Sequence, residues 1–241
     1  MILTEQTYKD IEEYLKKKKT IIIPLGSIEQ HSASMPLGTD SIIAESIAVE
    51  LGKVNNILVG PLLSPGISLV PHMEFKGTVS LMPNTFTNVI SETIRSLYKH
   101  GFRNFILVNG HGGNDGAIKN AITELCYSLD DLKIKSENWW RMKNIAQMAE
   151  EKLGNPIGHA CGTEASLILY INENLIKKDL LSSEFKNPPA IVSNNLSTKY
   201  LTKTGIINAD QKMANKELGK KLFDMSIDNY TRIIKMIEDE S

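Results

Sequence analysis

The sequence predicts an α/β protein with a mainly parallel sheet covered by helices on both faces. Three short apolar runs begin at Thr20, Asn56 and Asn104, and each ends after a few residues at a glycine or an asparagine. Continuous apolar runs of this length are typical of strands that are buried on both faces. Stretches with helical spacing of apolar residues lie between them. This alternation of strand and helix predicts helices on both sides of the sheet.

The elements follow one another in the order that such a fold requires. A polar helix is predicted over 6–18, followed by a strand over 20–25. The remaining predicted elements are helix 40–51, strand 56–60, helix 84–100, strand 104–109, helix 115–128 and a helical stretch over 209–239. Within helix 84–100, Ile90, Ile94 and Leu97 recur at helical spacing, and Thr85 is its predicted N-cap.

Charge and composition exclude several classes of protein. The chain has 27 Lys and Arg against 28 Asp and Glu, a net charge of −1, which differs from the basic excess of nucleic-acid-binding proteins. Four consecutive lysines, Lys16–Lys19, could form a patch that binds nucleic acid. Because no aromatic residues are interleaved, a solvated helix end is the better interpretation. No apolar run approaches the roughly 20 residues of a membrane span.

The same features indicate one cytoplasmic domain. The two cysteines, Cys126 and Cys161, have no C-x-x-C spacing, and two cysteines in 241 residues do not form a disulfide framework. We find no apolar segment typical of a signal peptide near the N-terminus. We find no repeat or linker that would divide the chain, and therefore treat 1–241 as a single domain. The stretch 182–210 is loop-rich and is expected to cover a site or a subunit contact.

Polar side chains follow the first predicted strand. Glu29 and His31 are two residues apart, so in an extended segment they point to the same side. A carboxylate and an imidazole together suit a borderline divalent metal such as Zn²⁺, Mn²⁺ or Fe²⁺. Asp40 follows a turn that contains Gly38, and its alternative interpretation is the N-cap of the next helix. In parallel sheets ligands gather at the carboxyl ends of strands, which favours a site here.

Glycines surround a histidine after the third predicted strand. The segment Asn109–Asn114 reads N-G-H-G-G-N, with His111 at its centre. Glycine weakens a sheet core, but it is useful where backbone must approach a ligand closely. A phosphate-binding turn is the alternative, because a glycine-rich turn before a helix presents amides to an anion. The pattern matches neither a Walker loop nor G-x-G-x-x-G, which disfavours that alternative.

Two further segments carry possible functional groups. His159 and Glu164 precede an apolar, helix-like segment, where they could supply a proton shuttle and one more ligand. Alternatively, Glu164 only complements a helix N-terminus. His72 lies in a predicted loop, and a single loop histidine is more often exposed or hydrogen-bonded than functional.

Taken in order, these segments resemble the creatininase family of amidohydrolases. The family pattern G-S-x-E-Q-H is matched by Gly26–His31, and P-L-G-T-D by Pro36–Asp40. The H-x-x-F-x-G-T loop is matched by His72–Thr78, N-G-H-G-G-N by Asn109–Asn114, and H-A-G-x-x-E-x-S by His159–Ser166, where Cys161 stands in place of the glycine. Each motif alone is weak, but five in sequence over about 20–170 are specific to the family.

The resemblance implies a three-layer α/β/α sandwich, a binuclear centre of Zn, Mn or Fe, and hydrolysis of a non-peptide or small amide C–N bond. It implies that Glu29 and His31 bind different metals, that Asp40 bridges them, and that His111 completes the first set. It also implies that His159 is the general acid/base. We further assign substrate binding to His72, Gly112, Gly113 and Asn114. The resemblance also implies a homo-oligomer, because homo-oligomers, commonly hexamers, are typical of the family.

The chain departs from the pattern of creatinine-hydrolysing members. In those members a glutamate stands two residues after the N-G-H histidine, where this chain has Gly113. Glu164 is therefore the candidate for the missing carboxylate. Some members also have a second histidine where Ser34 stands here. Family substrates include creatinine, formamidopyrimidine intermediates that are deformylated, and a modified peptide. The missing glutamate favours the deformylase-like branch, or a branch without an assigned substrate, for this chain.

An alternative of another class is a non-catalytic nucleotide- or sugar-binding α/β protein that kept the fold. A degenerate member should lack at least one of Glu29, His31, Asp40 and His111, and all four are present. The sequence therefore favours the two-metal hydrolase, with a single-metal enzyme as a variant of it.

Overall fold

Four parallel strands form the centre of the structure, a computed structural model that describes residues 1–69, 72–154, 157–185, 204–207 and 210–239. The strands are β1 (Thr20–Leu25), β2 (Leu58–Val59), β3 (Asn104–Asn109) and β4 (Lys133–Asn138). Their order across the sheet is β2-β1-β3-β4. In the pairing of β1 with β3, Thr20 is opposite Asn104 and Leu25 is opposite Asn109, so these two central strands end side by side.

The α-helices of the described residues lie between and after the strands. They are α1 (Tyr8–Leu15), α2 (Thr39–Asn55), α3 (Pro83–His100), α4 (Asp115–Ser128), α5 (Lys143–Leu153), α6 (Gly162–Asn172) and α7 (Lys216–Asp239). Short 3₁₀ turns precede α4 at Gly112–Asn114 and follow β4 at Trp139–Arg141. None of the described helices has the length and apolar content to cross a membrane.

Alternate strand residues face two separate apolar cores. Ile21, Ile23 and Phe105 face a core shared with α1, α3 and α4. Ile22 and Ile106 face a second core shared with α2, α5, α6 and α7. Because both faces of the sheet are buried at its centre, β1 and β3 consist mainly of apolar residues at successive positions. The three-layer α/β/α arrangement with a parallel sheet is therefore confirmed.

Most predicted elements are present, with shifted ends. The strands predicted over 20–25 and 104–109 are confirmed with the same bounds, as is the helix over 115–128. The strand predicted over 56–60 is shorter, because Asn56 adopts left-handed backbone (φ 51°) as the C-cap of α2. The first helix ends at Leu15, with Lys16 as its C-cap. The long C-terminal helix begins at Lys216.

Two sequence-based expectations were wrong or incomplete. Thr85 is not the N-cap of α3: the helix begins at Pro83 and its N-cap is Met82, because proline suits the first helical position. Strand β4 was not predicted. Its residues are mostly polar and only partly buried, as suits the end of a sheet, so it lacks the apolar run that identified β1 and β3. Of the stretch 182–210, residues 186–203 and 208–209 lie outside the described residues.

Candidate active site

The predicted ligands lie together at the carboxyl-terminal edge of the sheet. Glu29 and His31 follow β1, Asp40 lies in the first turn of α2, and His111 follows β3. Since β1 and β3 end side by side, the segments that follow them meet at one edge. All four side chains are buried. Buried charged groups are normally paired or bind a metal, so this cluster is a candidate functional site.

Asp40 is at the centre of the cluster. Its Oδ1 lies 3.0 Å from Nε2 of His31, and its Oδ2 lies 3.0 Å from Nδ1 of His111. The Ser27 hydroxyl donates a hydrogen bond to Oδ2 at 2.7 Å. The N-cap of α2 is Gly38, so the capping interpretation of Asp40 does not apply. Each oxygen of this carboxylate instead faces a different imidazole.

Glu29 shows that the cluster suits a cation. Both its carboxylate oxygens are buried and have no hydrogen-bond partner among the described residues. Oε1 lies 3.2 Å from Nδ1 of His111 and 3.2 Å from Nδ1 of His159, close enough for an ion pair but without hydrogen-bond geometry. A buried carboxylate without donors is costly unless positive charge lies beside it. The donor set therefore fits a divalent metal.

Backbone carbonyls orient two of the histidines. His31 Nδ1 lies 3.1 Å from the carbonyl of Glu29, and His111 Nε2 lies 2.7 Å from the carbonyl of Ile67. A carbonyl only accepts, so each of these nitrogens donates its hydrogen there. The other nitrogen of each ring then faces the carboxylates. This arrangement is typical of histidines that bind metal, whose second nitrogen is held by an outer partner.

Three groups of side chains can each hold an ion. Within each group, the ligand atoms lie within 4.8 Å of one another. The groups are Glu29 with Asp40 and His111, His31 with Asp40 and Glu164, and Glu29 with His31 and His159. Asp40 belongs to the first two groups. Carboxylate oxygen and imidazole nitrogen are the ligands that zinc and manganese take in proteins.

Glu164 caps a helix and also faces the cluster. Its Oε2 accepts a hydrogen bond from the backbone N–H of Cys161 at 3.0 Å, as part of a capping box at the start of α6. Its Oε1 lies 3.8 Å from Nε2 of His31. One oxygen therefore caps the helix while the other faces the cluster, so the helix N-terminus positions the carboxylate.

The electrostatics of the cluster favour ionised carboxylates. Burial alone would raise the pKa of Glu29, but the nearby imidazoles of His111 and His159 hold it well below its usual range. Burial would likewise raise the pKa of Asp40, yet His31 and His111 hold it below its usual range. Burial opposes charge on His31 and His111, but the facing carboxylates raise the pKa of both. The carboxylates thus favour positive charge beside them, whether it is a proton or a metal ion.

His159 and His72 lie beside the cluster. The His159 ring centroid is 4.6 Å from that of His31 and 4.4 Å from that of His72. His72 is buried, and burial together with the neighbouring imidazoles lowers its pKa to about 3. His72 is therefore neutral at pH 7. Of the two interpretations given to a single loop histidine, exposed or hydrogen-bonded, the second applies, because Nδ1 of His72 lies 3.2 Å from Nε2 of Gln30.

A cavity of about 240 Å³ opens onto the cluster. Of the residues assigned to substrate binding, His72, Gly112 and Gly113 line it, together with Glu29, Asp40, His111, His159 and Glu164. Trp140 and Ile157 also line it, and sequence reasoning missed both. Trp140 follows β4, and since that strand was not predicted, the segment at its end was not considered.

Asn114 and Gly113 have structural functions around His111. Asn114 is fully buried and does not line the cavity; its amide accepts from the N–H of Ile67 and donates to the carbonyl of Gly26. At Gly113, a Cβ atom would lie 2.2 Å from the carbonyl oxygen of Ile67 and 2.4 Å from Nε2 of His111. Close approach of backbone, rather than positive φ, therefore requires glycine at this position.

A larger cavity, of about 810 Å³, lies at the opposite edge of the sheet. It is lined by Lys16–Lys19, Arg103 and Lys133, and also by Asp131 and Glu238. None of the clusters of potential metal ligands in the described ranges includes these residues. The smaller cavity is the candidate active site, because the buried carboxylates and imidazoles converge there.

Comparison with known proteins identifies similar chains. The family model "Creatininase: Creatinine amidohydrolase" matches residues 4–234. Creatinine amidohydrolase of Pseudomonas putida is 29% identical over 201 residues, which cover 77% of this chain and 76% of that protein. The mycofactocin precursor peptide peptidase of Mycobacterium ulcerans is 28% identical over 221 residues, which cover 87% of this chain and 82% of that protein.

Solved structures show the same fold. The structure named "Creatininase Mn" superposes with a TM-score of 0.88 at 23% identity and covers 98% of this chain and 97% of its own. A creatininase mutant of "Zn-Zn type" has a TM-score of 0.87, also at 23% identity, and covers 98% of this chain and 97% of its own. The family model and these matches confirm the resemblance inferred from the five motifs.

Proposed function

The chain belongs to the creatininase family and is a hydrolase of C–N bonds, and from that premise we propose a two-metal amidohydrolase that cleaves a small cyclic amide or formamide with water. The observation that carries the proposal is the position of Asp40. Its two oxygens face His31 and His111 separately, so one carboxylate belongs to two ligand groups. A bridging carboxylate of this kind is what a two-metal site needs.

The ligand groups divide into two sets. We assign Glu29, Asp40 and His111 to one ion, and His31, Asp40 and Glu164 to the other. Glu164 then replaces the carboxylate for which position 113 has no room. Two divalent ions of zinc, manganese or iron held there would supply Lewis acidity, which lowers the pKa of an attacking water and polarises an amide carbonyl.

The chain's own residues supply the remaining chemistry. An amide nitrogen leaves poorly unless it is protonated, and an imidazole exchanges protons readily near pH 7. We assign this general acid/base role to His159, whose Nδ1 faces Glu29 and which lines the cavity. Because the side chains of the cluster are buried, the electrostatic interactions among them are stronger than they would be in water.

The size and lining of the cavity support a small substrate. The volume of about 240 Å³ is below the roughly 300 to 1,000 Å³ that is usual for small-molecule sites. Trp140 and Ile157 give it an apolar side, while the polar groups lie at the cluster. A third relative, the 2-amino-5-formylamino-6-ribosylaminopyrimidin-4(3H)-one 5'-monophosphate deformylase of Methanococcus maripaludis, is 30% identical over 145 residues, 57% of this chain and 59% of that protein. Gly113 lacks the carboxylate of creatinine-hydrolysing members, so we place formamides and cyclic amides other than creatinine ahead of creatinine.

Metal content and a substrate panel test the proposal. The protein purified without chelator is expected to hold about two divalent ions per chain by plasma mass spectrometry. The panel contains creatinine, other cyclic amides and aryl formamides, with released amine or formate as the readout. Glu164→Gln is expected to lose one ion of the two. Fewer than one ion per chain in the wild type, or an unchanged count in Glu164→Gln, would contradict the assignment.

We also propose a closed homo-oligomer of a cytoplasmic enzyme, as symmetric assembly is common among enzymes. Sedimentation velocity at micromolar concentration measures the assembly state. A single monomeric species would contradict this part of the proposal without affecting the metal assignment.

A further inference from the structure

Gln30 lies between the two ligands that follow β1, but it belongs to neither ligand group. Its side chain is buried. Its Oε1 accepts from the backbone N–H of Ser32 at 2.9 Å, and its Nε2 donates to the carbonyl of Gly205 at 2.9 Å. An N–H only donates and a carbonyl only accepts, so these two contacts fix which end of the amide is oxygen and which is nitrogen.

The amide nitrogen has one more hydrogen and two histidines within reach. Nδ1 of His72 is 3.2 Å away, and Nε2 of His159 is 2.8 Å away. However, Nε2 of His159 also lies 2.8 Å from the main-chain carbonyl of Gln30, which only accepts. The other nitrogen, Nδ1 of His159, lies 3.2 Å from Oε1 of Glu29 but without the geometry of a hydrogen bond. The hydrogen of a neutral His159 therefore belongs on Nε2, where it is donated to the Gln30 carbonyl.

This arrangement leaves His72 as the acceptor of the second amide hydrogen. If Nδ1 of a neutral His72 accepts, its own hydrogen is on Nε2. That nitrogen lies 3.8 Å from Oε2 of Glu29, and both residues line the cavity. The side chain of Gln30 thus selects the tautomer of His72, while its main chain selects that of His159.

The segment that contains Gly205 is built closely around the same amide. Gly205 has φ 72°, and a Cβ there would lie 2.1 Å from Oε1 of Gln30. Two residues further, Ile207 exchanges backbone hydrogen bonds with His159 at 3.0 and 3.1 Å. The side chain and main-chain carbonyl of Gln30 together therefore tie the loop after β1 to this segment and to both histidines that are not assigned as ligands.

We propose that Gln30 is a positioning residue that fixes the tautomer of His72, so that His72 presents a neutral Nε2–H donor to an oxygen atom of the substrate. The role toward substrate rests on the proposed function, whereas the tautomer depends on the hydrogen-bond geometry alone. An amide at this position is needed because a carboxylate has no hydrogen to donate and a thioether has neither donor nor strong acceptor.

Long-range ¹H–¹⁵N spectra of histidine rings test the tautomer directly. They are recorded on the zinc-loaded, ¹⁵N-histidine-labelled protein, with His72 assigned by comparison with His72→Gln. Wild-type His72 is expected to be the Nε2–H form. Gln30→Glu is expected to convert it to the Nδ1–H form, and Gln30→Met to give a mixture. Bound zinc in Gln30→Met is expected to equal that of the wild type, because Gln30 is not a ligand.

Gln211→Met is the matched control. Gln211 is also fully buried, and its amide nitrogen donates to Ser32 at 2.9 Å and to the carbonyl of Ala160 at 2.6 Å, but it contacts no histidine in the described structure. This variant is expected to leave the His72 spectrum unchanged. An Nδ1–H tautomer of His72 in the wild-type protein overturns the proposal, and this measurement does not depend on the folding of any variant. A change in the His72 spectrum of Gln211→Met equal to that of Gln30→Met also overturns it. A wild-type protein that binds no zinc contradicts the two-metal function instead, and the tautomer is then read on the protein as isolated.

Discussion

The two edges of the parallel sheet differ in how their charged groups are satisfied. At the carboxyl edge, Glu29 and Asp40 are buried and face imidazoles, and Glu29 receives no hydrogen bond from the described residues. At the amino edge, Lys16 pairs with a glutamate one helical turn away, and Lys18 and Arg103 donate to backbone carbonyls. The amino edge has the larger cavity and more charges. Burial of carboxylates that face imidazoles, rather than cavity size or net charge, therefore identifies the candidate active site.

Removing the shared carboxylate is the strongest test of this comparison. Asp40→Asn is expected to lose most bound zinc, because both ligand groups contain Asp40. Activity is expected to fall by about 10³-fold or more, since Lewis-acid stabilisation is worth several kcal/mol. Zinc per chain and the rate on the best substrate of the panel are the measurements.

The matched control is Asp131→Asn, which makes the same chemical change in the cavity of the amino edge. Asp131 has φ 55°, a conformation that asparagine tolerates. Zinc content and activity are expected to equal those of the wild type. Retention of both ions by Asp40→Asn would contradict a bridging role.

The second test separates two histidines within the carboxyl edge. His159→Ala is expected to keep both ions and to lose about 10²–10⁴-fold in kcat, as expected for loss of a general acid. His111→Ala is expected to lose metal and activity together, because its Nδ1 faces both Glu29 and Asp40. If His159→Ala instead loses an ion and activity falls in proportion, His159 is a ligand, a role that its grouping with Glu29 and His31 permits. His72 is then the candidate general acid.

The same contrast explains what the sequence could predict. Strands β1 and β3 are continuous apolar runs, and parallel strands end at a common edge, so the residues after them were expected to meet. The predicted ligands fall into overlapping groups, and within each group the ligand atoms lie within 4.8 Å of one another; they are Glu29, His31, Asp40, His111 and Glu164. The sheet and its two helical layers followed from the same periodicity.

The unpredicted features depend on contacts between distant segments. Trp140 was missed because β4 is a partly exposed strand without an apolar run. The contacts of Gln30 were missed because its partner Gly205 is 175 residues away and the histidines it contacts are 42 and 129 residues away. No local pattern reports which oxygen of Glu164 caps a helix and which faces His31.

The third test uses two adjacent glycines of the carboxyl edge. Gly113→Ala places a Cβ against the carbonyl of Ile67 and the ring of His111, and neither can move freely because they are hydrogen-bonded to each other. We expect a loss of about 1–3 kcal/mol in the free energy of unfolding, as in overpacked sites, and weaker zinc binding. Denaturant titration and zinc competition measure the two effects.

Gly112→Ala is the control for that substitution. Its Cβ would meet only the ring of Trp140, at 3.8 Å, which is ordinary contact. We expect a change within about 0.5 kcal/mol and unchanged zinc affinity. Equal effects of the two substitutions would show that the turn is flexible, and that position 113 has room for a side chain after all.

The smallest effect is expected at the amino edge. Lys17 and Lys19 line its cavity and are exposed, and they stand in a run of like charges. The double substitution Lys17→Ala and Lys19→Ala removes mutual repulsion as well as any attraction to Glu238, so the two contributions oppose each other. We expect the free energy of unfolding to change by less than about 0.5 kcal/mol, as for exposed charges generally. Zinc content and the rate are expected to stay at wild-type values, because both lysines lie at the amino edge of the sheet, opposite the edge that carries the cluster. A tenfold loss of rate with unchanged folding would mean that the amino edge communicates with the site, and the contrast between the two edges would then fail.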